Sequence, residues 1–237
     1  MENKLMPILD VMSKSGSKMD LQEIFQRLTF DAILILLLGY DPKTLSIDFP
    51  YNKFEKGFTK SEEALFNRHF LPKWLWKLLN RFRIGNEKYL SECSELNDEL
   101  LSKFIKEERE KEPFHKEHVK DHMLLTGFIN EYKDEKDQFI KDTFFSLMAA
   151  GRDTTSAALT WFFYLLANNH EVIGKIRKEI RAQLDIKDGE KWKCFEAKKL
   201  EKLVYLQGDL YEALRLFPPL PANQKLSSEA DVLPSGH

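Results

Sequence analysis

One stretch constrains this chain more than any other. From Asp137 to Asn168 it runs as a single helix, with an apolar half on either side of a polar knot, Gly151-Arg152-Asp153-Thr154-Thr155-Ser156. A helix that is oily on nearly every side is normally buried. The knot is costly in such a place. Glycine inside a helix costs about 1 kcal/mol against alanine, and a buried hydroxyl left unpaired costs about 1–3 kcal/mol. The pattern therefore predicts the most buried helix of the chain, with polar groups at its middle that something must use.

At about 100° per residue, Leu147, Ala150, Gly151, Thr154, Ala157 and Ala158 share one stripe. It is nearly bare of side chain, with one hydroxyl at its centre and the Asp153 carboxylate beside it. A flat partner could lie on the backbone there, and a second helix could pack closely on the same seam; spacing alone leaves both open. Thr154 and Thr155 can bond back to carbonyls four residues earlier, which tends to bend a helix.

Upstream, Asp20-Leu21-Gln22-Glu23 reads as a capping box with Glu23 reaching back. It opens a helix that runs to Leu38 and stops at Gly39. The second half of that helix, AILILLL, is oily all round and predicts burial. Phe54 to Phe70 reads as a helix with a polar face (Lys56, Lys60, Glu62, Glu63) and an aromatic one (Phe54, Phe58, Phe66, Phe70). After Pro72, the run KWLWKLLNRF brings together Trp74, Trp76, Leu78, Leu79 and Phe82. It predicts core packing of a capping helix, compatible with one wall of an apolar pocket. Lys88 to Glu112 is a long amphipathic helix with Leu96, Leu100, Leu101, Phe104 and Ile105 inward.

His115, His118 and His122 have a spacing that could place three imidazoles on one helical face as a metal site. Pro113 and the interleaved Lys116 and Lys120 favour a solvated linker instead. Beyond the central helix, His170 to Leu184 is amphipathic and Glu196 to Lys202 is short and charged. The basic residues of this region, from Lys175 to Lys202, are interleaved with acids. They predict a solvated face, with an acidic protein partner as the alternative.

A last helix, Leu203 to Leu216, ends at Phe217-Pro218-Pro219 as a proline pair requires. Glu212 and Arg215 lie three apart on one face of it. Leu210, Leu214 and Leu216 around them imply a half-buried setting, where losing one partner would cost about 3–5 kcal/mol. Asn223 to Leu226 and Ala230 to Leu233 read as short strands, the start of a hairpin whose return strand is not among these residues.

Composition excludes several classes. The 237 residues carry 36 basic and 38 acidic side chains, a net charge of −2, which leaves no nucleic-acid footprint. Two cysteines, Cys93 and Cys194, form neither a disulfide framework nor a zinc spacing. The opening MENKLMPILD has no continuous apolar core of a signal peptide. Ala32 to Leu38, the longest oily run, is far short of the roughly 20 residues a spanning helix requires.

Ala150-Gly151-Arg152-Asp153-Thr154-Thr155 resembles the [A/G]-G-x-[D/E]-T-[T/S] signature of the cytochrome P-450 heme-thiolate monooxygenases. Glu212-Ala213-Leu214-Arg215-Leu216-Phe217-Pro218-Pro219 resembles the family's E-x-x-R helix, and Asp231-Val232-Leu233-Pro234-Ser235-Gly236-His237 follows in the family's order. The resemblance covers nearly the whole chain, from the Asp20–Leu38 helix to the truncated hairpin of a domain set at 1–237, and is greatest to the plant branch that hydroxylates long-chain fatty acids and alkanes. It implies a mainly α fold, a single incomplete cytochrome P-450 domain consisting of its middle portion and the start of a small β-sheet.

For the site, the resemblance implies that Asp153 and Thr154 relay protons on the oxygen-binding side of a heme. Ala150, Gly151 and Thr155 would border the cofactor, and Glu212 with Arg215 would be a structural pair of the heme core. It implies O2, electrons from an NADPH-dependent reductase, a small apolar substrate, and a location at the endoplasmic reticulum membrane through an N-terminal anchor outside these residues. One departure is large. The family's iron ligand is a cysteine thiolate in an F-x-x-G-x-R-x-C-x-G loop. Cys93 lies in SECSE and Cys194 in WKCFE, so neither is that ligand. The alternative function is accordingly a truncated, catalytically inactive fragment.

Overall fold

The structure is a computed structural model that describes residues 2–110, 124–132, 136–184 and 195–223. Its described elements are helices: α1 (Glu2–Ser15), α2 (Leu21–Leu38), α3 (Lys53–Asn67), α4 (Lys73–Arg81), α5 (Asn86–Glu110), α6 (Leu124–Glu131), α7 (Asp137–Ala167), α8 (His170–Leu184), α9 (Ala197–Leu200) and α10 (Val204–Leu216). The mainly α expectation holds. The histidine trio, Cys194 and the two expected strands lie outside the described residues, except that Asn223 is described.

Local chemistry accounts for the ends of α2. The Asp20 carboxylate accepts from the N–H groups of Gln22 and Glu23 at 2.9 and 3.3 Å. Gly39 takes a left-handed conformation (φ 64°) and donates its N–H to Ile35 O at 2.9 Å. Glu23 does not close the expected capping box. Its carboxylate turns outward to Arg27, at 2.9 and 3.2 Å, because a full positive charge is a stronger partner than one backbone N–H.

Two charged residues inside α2 fold the following loop back onto it. Buried Arg27 donates to the carbonyls of Thr44 and Pro50 at 2.9 and 3.0 Å. Buried Asp31 accepts from the Thr44 N–H and Oγ1 and from the Leu45 N–H. Helix α1 carries no sequence signal as clear. Pro7 sits inside it, yet Ile8 is buried against Ile24, Phe25 and Leu28 of α2.

The main core forms where α2, α3, α5, α6 and α7 meet, around Phe30, Leu34, Phe58, Leu101, Phe144 and Met148. A second cluster joins Phe162 of α7, Ile176 of α8 and Ala213 of α10. Helix α8 also supplies a cap. Glu179 accepts from the N–H groups of Tyr205 and Leu206 at 2.7 and 2.9 Å, so the unfilled donors at the start of α10 are met by another helix. At the other end of α10, Phe217 stacks flat on Trp161 of α7, with ring centroids 4.1 Å apart.

Burial departs from expectation in α2, α4 and α7. In α2, Leu34, Leu37 and Leu38 are buried, while Ile35 and Leu36 are exposed, because α7 covers only one side. Helix α4 buries no side chain: Trp74, Leu78 and Phe82 are exposed, and Trp76 lies under the Arg68 guanidinium at 4.3 Å. Helix α7 is not the most buried helix either, since Leu147, Trp161, Phe163 and Tyr164 are exposed.

Candidate functional site

Helix α7 presents its polar knot in two directions. The buried line along it is Ile140, Phe144, Met148, Arg152 and Ser156, a run at four-residue spacing that faces the main core. Arg152, in the variable position of the motif, is therefore the sealed member of the knot, with a side chain 0% exposed. Its Nη2 donates to Glu55 Oε1 at 3.0 Å and Thr59 Oγ1 at 2.7 Å, and its Nη1 donates to Glu62 Oε2 at 3.2 Å. The rings of Phe30 and Phe58 flank the guanidinium at 5.7 and 5.5 Å.

Arg152 thus fastens the middle of α7 to α3. Reading the motif by its fixed letters misses this residue. The four-residue periodicity through Phe144 and Met148 is the signal that could have found it.

Asp153 sits beside this cluster. Its Oδ1 lies 3.2 Å from Arg152 Nη1, yet it is buried without an aligned hydrogen-bond donor. Glu62 carries the strongest perturbation of the group. Burial is the chief cause, followed by the nearness of the Asp153 carboxyl group and its negative charge, and together they push the carboxyl up to about 9.

Asp153 also lines a cavity of about 560 Å³ between the start of α2 and the second half of α7, with Gln22, Gln26, Ser156, Ala157, Thr160, Trp161 and Tyr164. Its lining is mixed, two amides and three hydroxyl-bearing side chains beside an indole. The Thr154 hydroxyl donates to Ala150 O at 2.6 Å, the expected back-bond, and Thr155 is exposed.

The bare stripe divides. A methyl group on Gly151 would stand 2.6 Å from Ile33 Cδ1 and 3.0 Å from its Cγ1, so a larger residue there obliges the Ile33 side chain on α2 to shift. At that position the stripe is a helix-packing seam. Leu147 and Ala150 are exposed, and Thr154 is half-buried, so this other edge remains open to a flat partner.

Glu212 and Arg215 pair at 2.6 and 2.8 Å but are 55% and 66% exposed, not half-buried as expected. Only Ala213 of α10 is buried, because α7 and α8 cover a single face of that helix. They stand apart from the Asp153 cluster, on a different helix.

For a heme, the open edge of α7 at Leu147, Ala150 and Thr154 fits a flat group. The described residues supply no thiolate. Cys93 is wholly buried, and that burial pushes its thiol up. Among the described residues no group of His, Cys, Asp and Glu could hold a metal ion, and no helix is long and apolar enough to cross a membrane.

The long helix α7, with a glycine, an acid and a threonine at its middle, packs beside the shorter α10 that bears the Glu–Arg pair. A family sequence model of cytochrome P-450 matches residues 2–235. Alkane hydroxylase MAH1 of Arabidopsis thaliana is 40% identical over 98% of this chain and 46% of its own length. Cytochrome P-450 86B1 of the same plant is 37% identical over 98% of this chain and 44% of its own. A crystal structure of a cytochrome P-450, CYP102L1, superposes with a TM-score of 0.67 at 18% identity, covering 90% of this chain and 44% of that one. The chain belongs to the cytochrome P-450 family. It spans a little under half the length of these relatives.

Proposed function

We propose that the chain carries the oxygen-side half of a heme- and O2-dependent monooxygenase that hydroxylates apolar long-chain substrates, a fatty acid or an alkane. The observation that carries this reading is the Asp153–Thr154 pair at the middle of α7. The carboxylate lines a cavity, and the hydroxyl lies beside the exposed, small-residue edge at Ala150. Family membership supports the monooxygenase chemistry, and the substrate class is our proposal, suggested by the name of one relative, an alkane hydroxylase.

In this reading Ala150 and Thr155 border the heme, while Gly151 serves the approach of α2. A heme held by a cysteine thiolate would supply the oxygen-activating chemistry. The protein's own part is proton delivery. Asp153 takes protons from the solvent side through its cavity, and the Thr154 hydroxyl, released from the Ala150 carbonyl, hands them across the open edge. Glu212 and Arg215 hold the core on the ligand side. Electrons come from an NADPH-dependent reductase, and the endoplasmic reticulum membrane is the proposed location.

The test is to read the transcript on both sides of these residues and express the resulting frame with a plant reductase. A thiolate-type Soret band in the reduced carbonyl complex, with hydroxylated long-chain product, is the expected result. An in-frame sequence without a Gly/Arg/Cys loop downstream would overturn it and favour the inactive fragment.

A further inference from the structure

The Arg152 cluster gathers three carboxyl groups around a single positive charge. Glu55 has Nη2 at 3.0 Å and, from its other oxygen, Lys56 Nζ at 3.9 Å. Glu62 and Asp153 share the single Nη1, each at 3.2 Å. Asp153 Oδ1 is buried and lacks an aligned donor, while Glu62 Oε2 meets the same guanidinium nitrogen. Two ionised carboxylates have only acceptors to offer each other. One proton between them turns repulsion into a short, charge-assisted hydrogen bond and supplies the missing donor.

We propose that Glu62 is a positioning residue: its carboxyl keeps a proton and donates it to Asp153, so that α3, clamped by Arg152, sets the orientation of that carboxylate. The proposal rests on the reading of Asp153 as a proton relay, but the shared proton can be measured apart from it. The groups facing Glu62 agree with one retained proton. Arg152 and Asp153 face it from α7, Glu55 lies on its own helix, and the Cys93 thiol of α5 brings no positive charge.

The test is carbon-13 NMR of the chain with its glutamate carboxyl groups labelled. One resonance should remain in the neutral form at neutral pH and titrate near 9, the position to which burial and Asp153 push Glu62. It should vanish in Glu62→Gln and move down by about one unit or more in Asp153→Asn. Every glutamate titrating in the ordinary range in the parent protein would overturn the proposal without recourse to any variant. An unchanged titration in Asp153→Asn would overturn the link between the two groups.

In the heme-loaded enzyme, Glu62→Ala should move the pH profile of product formed per oxygen consumed, while Glu62→Gln, which can still donate, restores its height. A retained proton with an unmoved profile would refute the relay reading of Asp153, and so the positioning role, while leaving the shared proton in place.

Discussion

The guanidinium of Arg152 and the carboxylate of Glu55 stand 97 positions apart in sequence and meet at 3.0 Å, with side chains 0% and 3% exposed. This pair joins the middle of α7 to the first turns of α3. Removing one partner of a buried pair leaves the other charge uncompensated, at a cost of about 3–5 kcal/mol. Arg152→Leu should therefore lower the stability of the chain by that amount, read from urea unfolding. Glu55→Gln keeps an acceptor for Nη2 and should cost less, about 1–3 kcal/mol.

Gly151 and Ile33 make a second prediction. Gly151→Ala gains about 1 kcal/mol of helix propensity. It also forces Ile33 to move, and overpacking of this kind costs about 1–3 kcal/mol. The net loss should be about 0–2 kcal/mol. Adding Ile33→Val deletes the Cδ1 atom that stands 2.6 Å from the new methyl group. The double variant should be more stable than the sum of the two single changes, and simple additivity in a double-mutant cycle would refute the packing role.

Glu62 gives the chain a pH dependence whose sign is fixed. Its folded value is about 9, against 4.5 for an ordinary glutamate. Between those values the folded state holds a proton that the unfolded state has lost. The contribution is full below about 4.5 and disappears as pH rises through about 9. Plotted against pH, the urea midpoint should fall across this window and do so less steeply in Glu62→Gln. Parallel curves would contradict the raised value.

Thr154→Ala removes a hydrogen bond worth about 0.5–1.5 kcal/mol. The lost bond is a back-bond to Ala150, a type that does little for helix stability. The expected change in stability is accordingly under about 1 kcal/mol. In the heme-loaded enzyme with its reductase, the same change should lower product formed per NADPH consumed. Equal coupling in variant and parent would argue against the relay.

Glu212→Ala should behave in the opposite way. The pair with Arg215 is solvent-exposed, so the melting temperature of the 237-residue chain should not move. In the heme-binding enzyme the same change should prevent cofactor incorporation, read as loss of Soret absorbance in the purified protein. A normal heme content would remove the structural role assigned to this residue.

Much of the local structure is legible in the residues. Asp20 and Gly39 bound α2, and Phe217-Pro218 stops α10, each through backbone chemistry that acts over a few positions. Boundaries shifted where no such signal exists. Helix α3 ends at Asn67, short of the expected Phe70, and α5 begins at Asn86, ahead of Lys88. Helix α1 was hidden by Pro7, and its burial depends on Ile24, Phe25 and Leu28, which come later in the chain.

The sequence by itself determined that the middle of α7 carries a glycine, an acid and hydroxyls where an apolar helix has no use for them, and that this motif precedes E-x-x-R. Tertiary structure alone decided which of those groups is sealed. Periodicity assigns residues to faces, but in a helix oily on nearly every side it does not say which face a neighbour covers. Helices α2 and α3 cover the faces of Gly151 and Arg152 and leave the Ala150 edge open. The close approach of Ile33 and the carboxylates of Glu55 and Glu62 come from far upstream, so no local pattern around residue 151 could encode them.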